Sequence, residues 1–372
     1  NVPNLRFPEF EGEWQEKRLS DIADLSKGIG ISKDQLSADG EPCILYGELY
    51  TKYKSETIKE VISKTNIDNT KLVKSKANDV IIPCSGETAE EIATARCVLK
   101  DDILLGGDLN IIRLHGYDGS FMSYQLNGKR KYDIAKVAQG VSVVHLYGEH
   151  LKNIKTINPS LNEQKKIANL LSLLDERIST QNKIIDKLQS LIKGIRHDIF
   201  NDIQGEVLAL SNIADIYQPQ TISSSDLTTE GYWVYGANGI IGKYKEYNHE
   251  TEQICITCRG NTCGTVNYAQ AKVWITGNSM VINTDKYQRQ VNKRFLFHYL
   301  SSYNFNSIVS GSGQPQIVRT PLEKIKVVLP TIEKQVRIAN SIDIVSEKID
   351  TESLVLRLLE NQKQYLLRQM FI

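Results

Sequence analysis

One long segment occurs twice in this chain, and that repetition limits what the rest can be. Residues 164–200 and 335–371 align without a gap at an offset of 171, matching Gln164 with Gln335, Ile167-Ala168-Asn169 with Ile338-Ala339-Asn340, Leu188 with Leu359 and Phe200 with Phe371. In the first copy Ile167, Leu171, Leu174, Ile178, Gln181, Ile185, Leu188, Ile192, Ile195 and Ile199 follow one another at steps of four and three, the period of a coiled-coil seam. The same register in the second copy gives Ile338, Ile342, Val345, Ile349, Glu352, Leu356, Leu359, Lys363, Leu366 and Met370. Each copy is expected to be one helix, roughly 55 Å long at 1.5 Å per residue. Gln181 and Glu352 interrupt both seams at the same place. A polar seam residue fixes register or orientation at some cost in stability, so the two helices are expected to face each other antiparallel.

The segments between the helices repeat as well. Leu19 and Ile22-Ala23-Asp24 recur as Leu210 and Ile213-Ala214-Asp215, and short β-rich runs recur as residues 79–86 and 253–260 and as residues 102–114 and 273–284. Each copy then carries a helical patch, at 121–139 and 293–310, a Gly turn, and a closing strand that ends at Pro159 or Pro330, where proline marks the boundary with the long helix. Copy one has about 20 more residues than copy two, which are expected in loops. The expected boundaries are 1–158, a first globular part with an irregular arm anchored by Phe7, Phe10 and Trp14; 159–200, the first helix; 201–329, the second globular part; and 330–372, the second helix.

The 372 residues suffice for two domains with proper cores. Lys plus Arg is 45 against 44 for Asp plus Glu, so net charge neither favours nor excludes a nucleic-acid partner. No run of 18 apolar residues and no apolar leader is present, which points to a cytoplasmic chain without a membrane partner. The six cysteines are too few for a disulfide scaffold and are expected to be reduced. Because the chain starts at Asn1, a few residues are expected to precede it.

Catalytic motifs are harder to find. Gly128-Lys129 and Gly242-Lys243 are followed by Arg130 and Tyr244, not by Ser or Thr, so no phosphate-binding loop is read. Lys27-Gly28-Ile29-Gly30 lacks the third glycine of a dinucleotide fingerprint. Asn158-Pro159-Ser160-Leu161 lacks the second proline and the aromatic residue that would clamp a flipped base. His249, Cys255, Cys258 and Cys263 have a spacing imaginable around zinc, but Cys255 alternates with Ile254 and Ile256 as in a strand. What stands out instead is a set of Gly-rich polar loops: Asn238 before Lys243 and Tyr244; Arg259 and Asn261; Gln314 and Gln316 before Arg319; Lys129 and Arg130; and, in the Gly turn of copy one, Ser142 and His145. Glycine permits close backbone approach, Gln and Asn pair bidentately with adenine, and Arg with guanine or phosphate. Loops of this kind on a rigid scaffold make a reader of base edges.

Two globular units ending in a turn such as Gly311-Ser312-Gly313-Gln314-Pro315, a Leu-x-x-Ile-x-Thr/Val-x-x-Pro strand (Leu151 to Pro159, Leu322 to Pro330) and a Gln-x-x-Ile-Ala-Asn helix, with Arg368-Gln369-Met370-Phe371-Ile372 last, resemble the specificity subunits of type I restriction-modification enzymes. Copy one departs from the family's turn at residues 140–145. The resemblance implies an α+β fold: two tandem α+β target recognition domains separated by two long antiparallel coiled-coil helices, with an internal pseudo-twofold repeat. It implies that each domain reads one half of a bipartite, asymmetric target in double-stranded DNA while the helices set the spacer. It implies two methyltransferase subunits docked on the helices, for which Leu170, Leu173, Ile184 and Leu191 lie off the seam, and two restriction/translocase subunits. Catalysis would then belong to those partners, with S-adenosylmethionine, ATP and Mg as their cofactors and none bound by this chain. Two other readings stay open on the residues alone: a two-module protein-interaction adaptor without DNA binding, and a zinc-dependent nuclease built on Cys255, Cys258 and Cys263.

Overall fold

The computed structural model describes residues 2–140, 143–237, 239–311 and 313–372. The chain divides into two compact units, Asn1–Asn182 with Leu354–Ile372 and Lys183–Ser353. The calls on Ser142 and Asn238 lie outside the described residues.

Unit two is built around the strand Gln253–Thr257, whose five residues are all buried. Such a run of β-branched and apolar residues needs cover on both faces, and it has it. Ile254 and Ile256 face a core with Phe295 and Leu296 of the helix Lys293–Ser302, while Cys255 faces Val273, Ile275 and Val281. The strand is central in an antiparallel four-stranded sheet, between Ser279–Asn283 and Val266–Ala269, with Asp215–Tyr217 beyond. A three-stranded sheet holds the hairpin Tyr232–Gly236 and Gly239–Tyr244 with Trp274–Ile275.

Unit one repeats this plan. Its central strand Asp79–Pro83 is also wholly buried and lies between Leu109–Leu114 and Arg96–Val98. Val80 and Ile82 face Met122 and Leu126 of the helix Gly119–Asn127, and Ile81 faces Leu105 and Leu109. The extra residues of copy one are only partly in loops. Sixty positions separate Leu19 from Asp79 but 43 separate Leu210 from Gln253, and part of the surplus forms the short strands Leu36–Ser37, Thr57–Ile58 and Val73–Lys74, which widen the two larger sheets of the unit to five strands each, Ser63–Thr65 pairing with Glu41–Ile44 as Gly239–Tyr244 pairs with Tyr232–Gly236. The arm is not irregular to its end either. Gln15–Arg18 is a strand paired antiparallel with Lys155–Asn158, and Trp14 is buried against Phe121.

The repeated segments form the helices Leu161–Asn201 and Ile332–Gln369, the second ending just before Met370 and Phe371. In unit one the start of the first helix packs on the end of the second: Ile167 and Leu171 share a core with Leu366, Met370 and Phe371. Leu5 N donates to Gln369 O at 2.9 Å, which sets the arm beside the chain's last helical turn. In unit two the end of the first helix packs with the start of the second, Phe200 sharing a core with Ile338 and Ala339. The pairing within each unit is therefore antiparallel.

Candidate nucleic-acid interface

The loops singled out in copy two meet at the end of its central strand. Beyond Thr257 the chain continues as Cys258-Arg259-Gly260, and Ile317 N donates to Cys258 O at 3.0 Å while Gly260 N donates to Pro315 O at 3.0 Å. Arg259 and Ser310 both form bridges with Gln316. Thr257 Oγ1 donates to Ala237 O, tying the tip of the hairpin to the same edge. One strand end thus gathers the hairpin tip, Arg259 with Asn261, and the turn carrying Gln314 and Gln316. The Arg259, Asn261 and Gln314 side chains are exposed and Gln316 is half-buried.

Gly311, at φ +95°, makes this turn possible. An added Cβ there would lie 2.5 Å from Gln314 O, so backbone conformation and close approach both require glycine. Copy one has the same construction with different side chains. Leu146 N donates to Cys84 O at 2.8 Å, and Gln139 and His145 exchange backbone hydrogen bonds of 2.9 and 2.7 Å. His145 therefore occupies the seat of Gln316, and Gly140, at φ +125°, that of Gly311. His145 is exposed and stacks on Tyr147, with ring centroids 6.2 Å apart, and Lys27 Nζ lies 5.8 Å from the Tyr147 ring.

The other named residues are dispersed. Lys243 Nζ sits 4.7 Å over the Trp233 ring, and the Tyr244 ring meets Trp274 edge-on at 5.0 Å. Arg319 Nε donates to Glu323 at 2.7 Å on its own short helix. Lys129 is exposed beside a cavity of about 480 Å³ lined also by Arg96, Lys131 and Arg368. The Arg130 guanidinium is mostly buried and donates to Ile372 O at 3.3 Å. Among the described residues neither Lys129 nor Arg130 is hydrogen-bonded to the His145 loop.

The residues considered for zinc serve the core. His249 Nε2 is 2.9 Å from the Tyr217 hydroxyl and Nδ1 is 2.6 Å from Asn248 Oδ1, and burial pushes its pKa down to about 4. Burial pushes the Cys255 thiol up to about 12, away from the thiolate a metal would need. Among the described residues no group of three or more His, Cys, Asp and Glu is placed to hold a metal ion, and no helix is long and apolar enough to cross a membrane. On the long helices Leu173, Ile184 and Leu191 are exposed, whereas Leu170 is half-buried against the cluster of Trp14 and Phe121.

The sequence pattern of the family described as "Type I restriction modification DNA specificity domain" matches residues 11–190 and 203–361. The chain belongs to that family. Among specificity subunits of the family, that of type I restriction enzyme MjaVIII from Methanocaldococcus jannaschii is 26% identical over 395 residues, covering 93% of this chain and 88% of the relative. That of EcoprrI from Escherichia coli is 29% identical over 156 residues, covering 41% of this chain and 37% of the relative, so this match spans little over a third of that protein. The crystal structure of an S subunit from M. genitalium shares the fold with a TM-score of 0.71 at 19% identity, over 100% of this chain and 99% of that one. A chain from a structural study of type I R-M complex assembly gives 0.56 at 15% identity over 98% of each.

The sequence reading passed over three residues of the specificity subunit's hairpin: Trp233, Ile240 and Ile241, which are 43%, 50% and 51% exposed. Their signal was present. Asn238-Gly239 between two apolar runs is a strong short-range mark of a hairpin.

Proposed function

We propose that this chain is the DNA-reading component of a type I restriction-modification complex, each unit reading one half of a bipartite target. One observation carries the reading. Both units present a loop of the same construction at the end of the same central strand, and the seat filled by Gln316 in one is filled by His145 in the other. Equal seats with unlike side chains suit a protein that reads two different half-sites from one repeated scaffold. Gln pairs bidentately with adenine, discriminating by about 1 to 3 kcal/mol, and Arg259, beside Gln316, can reach guanine or a phosphate. The same reading assigns methylation and cleavage to partner subunits that carry S-adenosylmethionine, ATP and Mg, two methyltransferase and two restriction subunits. It gives the long helices the task of fixing the unread spacer and of docking the methyltransferases at exposed apolar positions such as Leu173, Ile184 and Leu191.

The test is the methylated motif in DNA from a host that expresses this chain with its methyltransferase partner. Gln314→Ala and Gln316→Ala should relax or weaken one half of the motif and leave the other intact, and His145→Ala should act on the opposite half. Unchanged motifs and rates in all three variants would reduce these loops to turns.

A further inference from the structure

The hairpin Tyr232–Gly236 and Gly239–Tyr244 exposes more apolar surface than a folding role requires. Adjacent residues of a strand point to opposite faces, so of Ile240 and Ile241 one would ordinarily be turned inward. The pairing register slips here: Val234 opposes Gly242 but Tyr235 opposes Ile240, which leaves Ile241 as the extra residue of a bulge. Both isoleucines are half-exposed as a result, at 50% and 51%. Bulges re-aim side chains beside functional sites. Gly236 makes room for this one, since a Cβ there would lie 2.8 Å from Ile241 Cγ2. The hairpin is also held firmly close to its turn. Thr276 N donates to Tyr235 O at 2.9 Å and Ser279 Oγ to Gly236 O at 3.3 Å, while Thr257 ties Ala237 to the edge that bears Arg259 and Gln316.

Resting on the reading of unit two as a reader of duplex DNA, we propose that this hairpin is an apolar wedge, with Ile240 and Ile241 inserting at a base-pair step beside or within the half-site of unit two. Proteins that deform DNA push apolar side chains between base steps and hold the strained duplex by its phosphates. Lys243, seated over Trp233 and in no ion pair among the described residues, is the cation placed to hold the backbone next to the tip. Duplex DNA is favoured over a protein partner because the wedge shares its edge with Arg259 and Gln316 and carries this cation. The cost of unstacking depends on the step, so the wedge adds specificity at a position where no hydrogen bond reads a base. Among the described residues unit one has no such bulged hairpin: the strand that pairs antiparallel with Glu41–Ile44, Ser63–Thr65, follows only after the short helix Glu48–Thr51 and in an unbroken register. The deformation therefore belongs to one half of the target only.

The experiment uses the full chain in complex with its methyltransferase partner and duplexes bearing its mapped motif, with a fluorescent aminopurine base at successive steps. The parent should raise fluorescence at one step on the side of unit two and at none on the side of unit one. The double variant I240S/I241S should abolish that signal and lower affinity about 10-fold or more, the scale of one unstacked step. It should recover most of the loss on a duplex already unstacked there by a mismatch, and its salt dependence should match the parent's, because isoleucine neutralises no phosphate. Independently of any variant, the parent should bind the mismatched duplex more tightly than the matched one. Equal affinities of parent and variant with no fluorescence change would overturn the wedge while leaving base reading intact. Loss of methyltransferase assembly with unaltered DNA binding would overturn it in favour of a protein-docking hairpin. Absence of any salt-sensitive DNA binding by the parent would instead overturn the parent reading.

Discussion

Single side chains explain why particular positions recur in this chain. Gln164 and Gln335, each 1% exposed, do the same work. Gln164 Oε1 accepts from Asp118 N at 2.9 Å and its Nε2 donates to Pro159 O at 2.8 Å. Gln335 Oε1 accepts from Asn292 N at 2.8 Å and its Nε2 donates to Pro330 O at 2.9 Å. In both units the start of a long helix is thereby clamped to the cap of the domain's own helix, so Gln335→Ala should destabilise unit two by about 1 to 3 kcal/mol, as expected when a buried amide is left unsatisfied. Thermal melting would show the loss, and Gln335→Glu would not rescue it, because a carboxylate has no N–H to donate to Pro330 O. The repeated phenylalanines act likewise: Phe371 packs on Phe121 at 5.1 Å and Phe200 on Phe295 at 5.6 Å. His298, wholly buried, is held by Asp343, 2.7 Å from Nε2, and by Arg196, 3.0 Å from Nδ1. Because arginine only donates, Nδ1 must be an acceptor and the ring neutral. Burial, together with Arg196 and Arg294 and against Asp343, brings its pKa down to about 4. Between pH 6.5 and 4 the unfolded chain then binds the extra proton, so stability falls as pH falls through that window, by up to about 3 kcal/mol. His298→Gln keeps one acceptor and one donor but does not titrate. Its melting temperature should decline less than the parent's from pH 7 to pH 4, and equal declines would remove His298 as a cause.

At the scale of elements, the two long helices and both central strands were legible in the sequence because each follows one local rule. A seam at steps of four and three makes a long helix, and runs such as residues 79–83 and 253–257 make buried strands. The added strands of unit one were not legible, since they are two residues long and exist only by pairing with distant partners. Lys363 was hidden for a related reason. It occupies the seam position that Ile192 fills in the other copy, which reads as an interruption, and its partners lie far away in sequence. Its ammonium is 2.6 Å from Glu56 and 2.7 Å from Asp175, all three nearly buried, and the Tyr124 hydroxyl donates to Asp175 at 2.7 Å. Burial lifts the pKa of Glu56; Lys363, although burial works against it, is held above its ordinary value by the two carboxylates. Within unit one this network fastens both long helices to the globular part. Lys363→Met would leave two buried carboxylates without their cation, a loss of about 3 kcal/mol or more. The deficit should shrink as the pH is lowered from neutrality, because Glu56, whose pKa burial already raises, takes up a proton before an ordinary carboxylate would. A melting-temperature deficit that stays constant with pH would place the effect in packing instead.

On the scale of the whole molecule, the chain enters and leaves each globular part through a two-stranded sheet. Gln15–Arg18 pairs with Lys155–Asn158, and Glu206–Ala209 pairs with Lys326–Leu329, so that Glu206 lies opposite Leu329. Gly205 packs so closely on this exit that an added Cβ would lie 2.1 Å from Leu329 O. Both ends of a module are therefore adjacent, and everything between them can change while the connections to the long helices stay fixed. This geometry says where modules of the specificity subunit should be exchanged. Replacing residues 206–329 by the equivalent segment of a relative carries both strands of the pair together and keeps Gln335 and the helices of the host. A junction at residue 325 would pair one native strand with one foreign strand across four residue pairs. On the proposed function, the first chimera should assemble with a methyltransferase partner and support methylation of a motif in which one half is new and the other is the parent's. The second should melt earlier, by an amount that grows with mismatch between the two strands. Sequencing the methylated motif of each chimera decides the matter: a change in both halves from the first, in a complex that still assembles, would mean that the two units do not read independently, and the repeat would then be a record of ancestry without a division of labour.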